Sequence, residues 1–318
     1  IGWIAPAFGA ELTQPADPSI TTDLGAHVNY VSEADSGHRT RATRGKPSQS
    51  EAAPVEIAPS RPLTPPAPQV SSLSYSSLAL YERCGYRFYV ERILGLPPTP
   101  GAAPQQPEPT QTTLPATDRG TLAHQILQDL DLRRPQIPPD QPKEITPLIQ
   151  AFISSEVRAR LTAATELRRE QRFVFPLGPA LITGTFDVLA TEPDGTTLVV
   201  DYKTDRLNGR SPAEMVAREY EAQRLIYALA ALRAGAPRVE VVHLFLEDTV
   251  RPVSRSFESA ELMSLQEELD RRAAPLLAGR FEVTGEPQRA ICTGCPALGG
   301  LCSWPPEMAM RAAVDRLF

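Results

Sequence analysis

The fold is decided by two short stretches, Gly184-Thr-Phe-Asp187 and Asp201-Tyr-Lys-Thr204. The residues around them predict two β-strands joined by a turn at Asp194-Gly195. Because side chains alternate along a strand, Lys203 should point to the same face as Asp201. This hairpin therefore predicts that two carboxylates and one ammonium group meet at one place.

Such a group of charges suits metal-assisted cleavage of a phosphodiester. Asp187 and Asp201 offer the hard oxygen ligands that a divalent cation prefers. Lys203 could polarise a water or stabilise negative charge on the phosphate. Acids before turns and lysines after strands are also common on solvated surfaces, so the hairpin alone leaves a purely structural interpretation open.

Helices and strands alternate along the rest of the chain. The clearest helix start is Ser211-Pro-Ala-Glu214, which combines a capping serine, an early proline and a capping-box glutamate; this helix should end at Gly235. This order predicts an α/β fold in which helices flank a small mixed sheet. The other patterns predict helices beginning near 74 and 118, helices over 145–169 and 259–277, and strands through 173–175, 181–190, 197–201 and 239–246.

Composition divides the chain of 318 residues into two regions. Many of the 33 prolines fall in linkers, and residues 1–70 are expected to be a proline-rich, largely disordered leader. The folded domain should cover 71–318. The net charge of −6 argues against a globally basic nucleic-acid coat protein but allows a local DNA-binding patch. Without a signal pattern or a long apolar run, the expected location is the cytoplasm, and the start at Ile1 suggests a fragment or a processed chain.

Four further polar residues are candidates for the same site. A neutral His124 could complete a metal shell, and Glu170, expected just before a strand, could add a carboxylate through water. Gln223 and Tyr227 lie four residues apart on the capped helix and so share a face, from which they could contact phosphate, a DNA strand or the lysine. The ordinary alternatives stay open: a core or surface histidine, a solvated glutamate and a core tyrosine.

The cysteines form a second pattern, with one early in the chain and three late. Four thiolates suit a zinc site or an iron–sulfur cluster, and the glycines around the C-x2-C pair allow a tight wrap. Disulfides are the third alternative, and the one least suited to a cytoplasmic chain. The four residues are Cys84, Cys292, Cys295 and Cys302.

These motifs occur together in a known family. The histidine of Arg119-Gly-Thr-Leu-Ala-His124, the two hairpin stretches and the Gln223-x-x-x-Tyr227 pair resemble the RecB-type nucleases of the PD-(D/E)XK superfamily. More narrowly, residues 71–310 resemble the C-terminal nuclease domain of AddAB/RecBCD/AdnAB-type helicase–nucleases. The resemblance implies a restriction-endonuclease-like α/β core.

The resemblance also implies roles for the candidate residues. Mg²⁺ or Mn²⁺ would be bound by His124, Asp187, Asp201 and the Tyr202 carbonyl. Lys203 would orient or activate the attacking water. The remaining catalytic-site residues would be Glu170, Gln223 and Tyr227, and a [4Fe–4S] cluster would be bound by Cys84, Cys292, Cys295 and Cys302, with Zn²⁺ as the alternative.

The implied function is a metal-dependent deoxyribonuclease of double-strand break repair and recombination, acting as an exonuclease rather than an endonuclease. Its partners would be single-stranded or unwound DNA and a helicase, either a subunit or a covalently linked domain. Two alternatives stay open. One is an iron–sulfur exonuclease of the CRISPR-adaptation type, and the other is a non-catalytic DNA-binding or architectural module of a helicase complex.

Overall fold

The structure is a computed structural model that describes residues 19–21, 27–29, 70–99 and 114–312. It divides into two units, 1–63 and 64–318. In the first unit, β1 (Ser19–Thr21) pairs antiparallel with β2 (His27–Asn29). Most of the expected disordered leader lies outside the described residues, so that expectation stays a prediction.

The second unit is built on one sheet flanked by helices. Its described strands are β3 (Ser72–Leu73), β4 (Glu166–Leu177), β5 (Ala180–Thr191), β6 (Thr197–Lys203), β7 (Arg238–Phe245) and β8 (Val253–Glu258). Its described α-helices are α1 (Tyr75–Arg83), α2 (Gly85–Phe88), α3 (Ala116–Asp129), α4 (Ile145–Ile153), α5 (Glu156–Ala163), α6 (Pro212–Met215), α7 (Glu221–Arg233), α8 (Leu262–Leu277), α9 (Arg289–Cys292) and α10 (Pro306–Ala309). Short π-helical segments at Tyr89–Ile93 and Val216–Tyr220 follow α2 and α6, and a 3₁₀ turn at Ser259–Glu261 precedes α8.

The sheet opens between two of its strands. β4 and β5 pair antiparallel along almost their whole length, whereas β5 pairs with β6 only from Val188↔Val200 to Thr191↔Thr197. β3 instead pairs parallel with the beginning of β5. β7 lies parallel to β6, and β8 is antiparallel to β7. The pairing of β5 with β6 ends at Val188↔Val200, and the next residues are Asp187 on β5 and Asp201 on β6. Both therefore lie where the two strands separate, a place called the fork below.

Helices cover both faces of the sheet. Val199 packs in a core with α7 and α8, while its neighbour Val200 packs in a second core with α3, α4 and α5. Adjacent β-strand residues point to opposite faces, so β6 is buried on both sides. The structure thus confirms the predicted α/β fold, a small mixed sheet flanked by helices.

The long β4–β5 hairpin changes faces along its length. Phe186 packs in the core beside α7, yet Val188, two residues further, packs in the core beside α3. The change occurs at Glu170 and Asp187, the two residues left out of the pairing between Arg169↔Val188 and Gln171↔Phe186. The backbone of Glu170 has a positive φ of 49°. A conformation this uncommon for a non-glycine residue breaks the alternation and turns the Asp187 side chain towards the fork.

The structure corrects two details of the predicted elements. The helix expected over 145–169 is wrong at its end, because residues 166–169 belong to β4 and the remainder forms α4 and α5. The break between α4 and α5 has a local cause. The Ser155 side chain accepts a hydrogen bond from the backbone N–H of Arg158 and so caps the start of α5. The strands β3 and β8 were missed.

Candidate active site

The helix α3 places His124 over the end of β6. Its buried face holds Ala123 and Leu127, which leaves the His124 side chain 31% exposed at the fork. His124 Nε2 lies 3.0 Å from the Tyr202 carbonyl oxygen. The approach is close because a Cβ on Gly120 would lie 3.3 Å from Thr204 Oγ1. Glycine at this position therefore lets the helix reach the strand that carries the lysine.

The first carboxylates of the site come from the β4–β5 hairpin. Asp187 Oδ2 accepts a hydrogen bond from the Tyr202 N–H at 2.8 Å and lies 3.5 Å from His124 Nδ1. Ligand atoms of His124, Glu170 and Asp187 all lie within 4.8 Å of one another, which suits a cation site. The expectation that Glu170 precedes a strand is wrong, because Glu170 lies inside β4, between the residues that pair with the two neighbours of Asp187.

Asp201 is the deepest carboxylate and is held from both of its oxygens. Its side chain is 3% exposed, and Oδ2 lies 2.7 Å from Lys203 Nζ. Oδ1 accepts a hydrogen bond from Gln223 Nε2 at 2.6 Å and lies 3.1 Å from the Tyr227 hydroxyl. That hydroxyl also lies 2.9 Å from the carbonyl oxygen of Thr185. The helix α7 thus fixes Asp201 through Gln223 and Tyr227, which the sequence placed on one face.

The charges of the site are unevenly balanced. Burial and the nearby Asp201 raise the pKa of Asp187. Burial would also raise the pKa of Asp201, but the charge and hydrogen bond of Lys203 act together with His243 and His124, and the pKa of Asp201 is lowered. Burial lowers the pKa of Lys203, but the charges of Asp201 and Asp187 and the hydrogen bond to Asp201 act together with Tyr75 to raise it overall, so Lys203 stays protonated. Positive charge therefore compensates the Asp187 carboxylate less well than the Asp201 carboxylate.

The residues present fit a divalent cation at the Asp187 end of the fork. The imidazole and two carboxylates of the group are hard or borderline ligands of the kinds that bind Mg²⁺ or Mn²⁺. Glu170 has a raised pKa, first from burial and then from the Asp187 charge, which a bound cation would relieve. The Tyr202 carbonyl lies beside His124 and is available as a further ligand.

One cleft of about 480 Å³ is lined by His124, Asp187, Asp201 and Lys203. Tyr75, from α1, and Tyr220, from the π-helical segment, also line it and were missed by the sequence analysis. His243 pairs with Asp201 across β6 and β7, is fully buried, and was missed as well; burial lowers its pKa to about 4. The sequence offered little to find these residues, since the one feature that marks Tyr220 is that it comes three residues before Gln223.

A family model described as the PD-(D/E)XK nuclease superfamily matches residues 72–299. The chain belongs to this superfamily. Two similar relatives are the ATP-dependent helicase/nuclease subunits A of Bacillus cereus (strain AH820) and Bacillus pumilus (strain SAFR-032). Both are 28% identical, over 36% and 43% of this chain and over 12% and 14% of their own lengths. The match thus spans about one eighth of those subunits.

A solved structure is also similar to this PD-(D/E)XK nuclease domain. It is a protein from Eubacterium rectale that is provisionally named an exonuclease, with 10% identity and a TM-score of 0.38 over 67% of this chain and 83% of its own. Among the described helices of the nuclease domain, none has the length and apolar character needed to cross a membrane.

The cysteines of the nuclease domain gather around Arg87. Cys84 caps α2, with its sulfur accepting from the Arg87 N–H at 3.4 Å. The Arg87 guanidinium donates to the carbonyls of Ile291 and Thr293, beside the C-x2-C pair. Burial raises the pKa of Cys292, and the charges of Cys84 and Cys302 add to it. The early cysteine and the late ones therefore share one neighbourhood, and no disulfide joins any two of the four.

Proposed function

We propose that this domain is a Mg²⁺- or Mn²⁺-dependent deoxyribonuclease. The observation that carries the proposal is the fork itself, where an ion-paired Asp201 and Lys203 face the cation-binding group of His124, Glu170 and Asp187. Membership of the PD-(D/E)XK superfamily supports hydrolysis of a phosphodiester as the reaction.

Each residue has a distinct role in this proposal. His124, Asp187 and Asp201 would hold the cation, together with the Tyr202 carbonyl. When bound, the cation would lower the pKa of a water molecule and neutralise charge on the phosphate. Lys203 keeps its proton and can orient the attacking water or donate to a phosphate oxygen.

The remaining three residues support those ligands. Gln223 and Tyr227 hold Asp201 in its rotamer, since both reach the same carboxylate oxygen. Glu170 contributes a third carboxyl beside Asp187, either as a direct ligand or through water. A non-catalytic DNA-binding module would have no use for a buried carboxylate and lysine held this closely, so the nuclease is favoured.

The wider setting is proposed from the relatives. The helicase/nuclease subunits of the two Bacillus species support a partnership with a helicase, as a separate subunit or in the same polypeptide. Such a partner would supply single-stranded or unwound DNA during double-strand break repair or recombination. We propose exonuclease rather than endonuclease action, with an iron–sulfur exonuclease of the CRISPR-adaptation type as the alternative.

We also propose a [4Fe–4S] cluster bound by the four cysteines. A tetrahedral zinc site holds its sulfurs about 3.8 Å apart, since Zn–S bonds are about 2.3 Å. Among the described residues, no three thiol sulfurs lie within 4.8 Å of one another, so the larger cluster suits the spacing better. The cluster would join α2 to the C-terminal segment and so add to the stability of the fold.

The nuclease proposal is tested by cleavage of labelled single-stranded and double-stranded oligonucleotides during a Mg²⁺ titration, with EDTA as the metal-free reference. Lys203→Met should abolish Mg²⁺-dependent cleavage. Lys143→Met removes an exposed lysine and is the matched control, which should keep the wild-type rate. Equal rates for the two variants would contradict the proposed role of the site.

The cluster proposal is tested separately by iron, sulfide and zinc analysis of anaerobically purified protein. About four irons and four sulfides per chain, with broad visible absorbance, are expected for a [4Fe–4S] cluster. Stoichiometric zinc without iron or visible absorbance would overturn the assignment.

A further inference from the structure

Three side chains form a stack that begins at the wall of the cleft and runs into the protein. Lys203 Nζ lies 3.9 Å from the centroid of the Tyr220 ring. The Tyr220 ring in turn stacks on the His243 imidazole, with centroids 5.8 Å apart and planes inclined by 28°. Lys203 is 7% exposed and His243 is fully buried, so the stack is largely shielded from water.

Lys203 has few other contacts to fix its ammonium. Its stem is flexible, and among the described residues its ammonium has one carboxylate partner, Asp201 Oδ2 at 2.7 Å. The ring of Tyr75 lies further away, with its centroid 5.9 Å from Nζ. A cation over an aromatic face is attracted by the negative charge of that face, and more strongly when water is excluded. Tyr220 therefore supplies the second support of the ammonium.

The Tyr220 ring is itself held on two sides. Its hydroxyl donates to Asp205 Oδ2 at 2.8 Å. On the other side, neither nitrogen of His243 has a hydrogen-bond partner among the described residues, so the imidazole acts there by packing. Phe245 adds an edge contact at a centroid distance of 6.3 Å. The contacts with His243, Phe245 and Asp205 therefore hold the ring in place against Lys203.

The local backbone explains how Tyr220 reaches this place. It closes the π-helical segment that begins at Val216, and its φ of −123° and ψ of 7° depart from helical values before α7 begins. Such segments often occur at functional sites. Gln223, at the start of α7, contacts Asp201. The start of α7 thus supports both members of the Lys203–Asp201 ion pair. Tyr220 contacts the lysine, and Gln223 contacts the aspartate.

We propose that Tyr220 is a positioning residue, whose ring holds the Lys203 ammonium towards the scissile phosphate. The inference rests on the proposed nuclease function. Tyr220→Leu removes the ring, whereas Tyr220→Phe keeps the ring and loses only the hydrogen bond to Asp205. Tyr220→Leu should lower kcat about 30-fold with KM little changed, as expected for a shielded cation–aromatic contact. Tyr220→Phe should restore most of kcat.

The kinetic outcomes separate positioning from a merely structural role. Equal losses in the two variants, or a loss confined to KM, would overturn the proposal. If the wild-type protein cleaves DNA and Tyr220→Leu cleaves at the same rate, the proposed function stands and the role of Tyr220 fails. If the wild-type protein shows no Mg²⁺-dependent cleavage, the result contradicts the proposed function instead.

A second measurement tests the contact without any activity. The chain contains three lysines, Lys46, Lys143 and Lys203, so lysine-selective ¹³C labelling gives a spectrum simple enough to assign by Lys46→Arg and Lys143→Arg. The ε-methylene protons of Lys203 should be shifted upfield by the Tyr220 ring current, and that shift should persist in Tyr220→Phe. Three lysine signals at the free-lysine position in the wild-type protein would overturn the proposal.

Discussion

At Gly184 the addition of a single methyl group should disturb the active site. It pairs with Phe173 across β4 and β5, and a Cβ on Gly184 would lie 2.8 and 3.0 Å from two ring carbons of Phe173 and closer still to a third. The ring is backed by Phe186 at 4.6 Å and by Tyr227 at 5.9 Å between centroids. Gly184→Ala must therefore displace Phe173 and disturb the tyrosine that contacts Asp201.

The expected cost follows from overpacking. Forcing a methyl group into a filled site costs about 1–3 kcal/mol. In a domain of this size each kcal/mol lowers Tm by about 2–4 °C, so Gly184→Ala should lower Tm by about 2–12 °C. The Mg²⁺-dependent cleavage rate should fall as well, because Tyr227 helps to hold Asp201.

The assay is thermal unfolding followed by circular dichroism, with cleavage measured on the same samples. Gly285→Ala is the matched control, since a Cβ there meets nothing within 4 Å, and its Tm should stay at the wild-type value. Adding Phe173→Leu to Gly184→Ala should recover part of the loss, with a coupling energy of about 0.5–3 kcal/mol. An unchanged Tm in Gly184→Ala, or strictly additive effects in the double variant, would refute the reasoning.

Three further predictions follow from contacts around the core. Gln223→Leu removes a hydrogen bond to the buried Asp201 carboxylate, so the free energy of unfolding in urea should fall by about 1.5–3 kcal/mol. Arg160 hydrogen bonds lower the pKa of Glu240, so their stabilisation is present at neutral pH and is lost as the pH falls below the ordinary value of 4.5. Glu240→Gln should therefore lower stability at pH 7 by about 1 kcal/mol or less and flatten its decline in acid, as urea unfolding across pH would show. Cys302→Ser should lower the iron content and the visible absorbance of the purified protein.

Much of the scaffold could be predicted from local patterns. The β5–β6 hairpin was predicted because an apolar run flanks a clear turn at Asp194-Gly195, and both strands extend slightly beyond their predicted ends. The start of α6 was predicted equally well, since its capping box is made by two residues only three positions apart, Ser211 and Glu214. Signals of this kind depend on residues that are near in sequence, so tertiary packing does not override them.

The features that the sequence concealed depend on distant contacts. The change of faces at Glu170 and Asp187 breaks the alternation on which strand prediction relies, and the residues before and after it pack against different helical layers. β3 has two residues and is defined by pairing with β5, far along the chain. Tyr220 and His243 carry no motif, because their importance comes from stacking beneath Lys203.

The sequence indicated which residues belong to the candidate site better than it indicated how they are arranged there. His124, Asp187 and Asp201 were expected to form one cation shell with the Tyr202 carbonyl, and the structure brings all of them to the fork. It groups Glu170 with His124 and Asp187 within 4.8 Å, while Asp201 is engaged by Lys203 and α7. Spacing along the chain could not show this division, because it follows from where β5 and β6 separate.

The most direct test of the account is the single-turnover rate of Mg²⁺-dependent cleavage of labelled single-stranded DNA by Asp201→Asn. Asp129→Asn, which changes an exposed carboxylate on α3, is the matched control. Loss of an ion-paired carboxylate at the fork should remove about 4 kcal/mol of transition-state stabilisation, so Asp201→Asn should be slower by about 1000-fold, while Asp129→Asn cleaves at the wild-type rate. A folded Asp201→Asn protein that cleaves DNA at the wild-type rate would contradict the account.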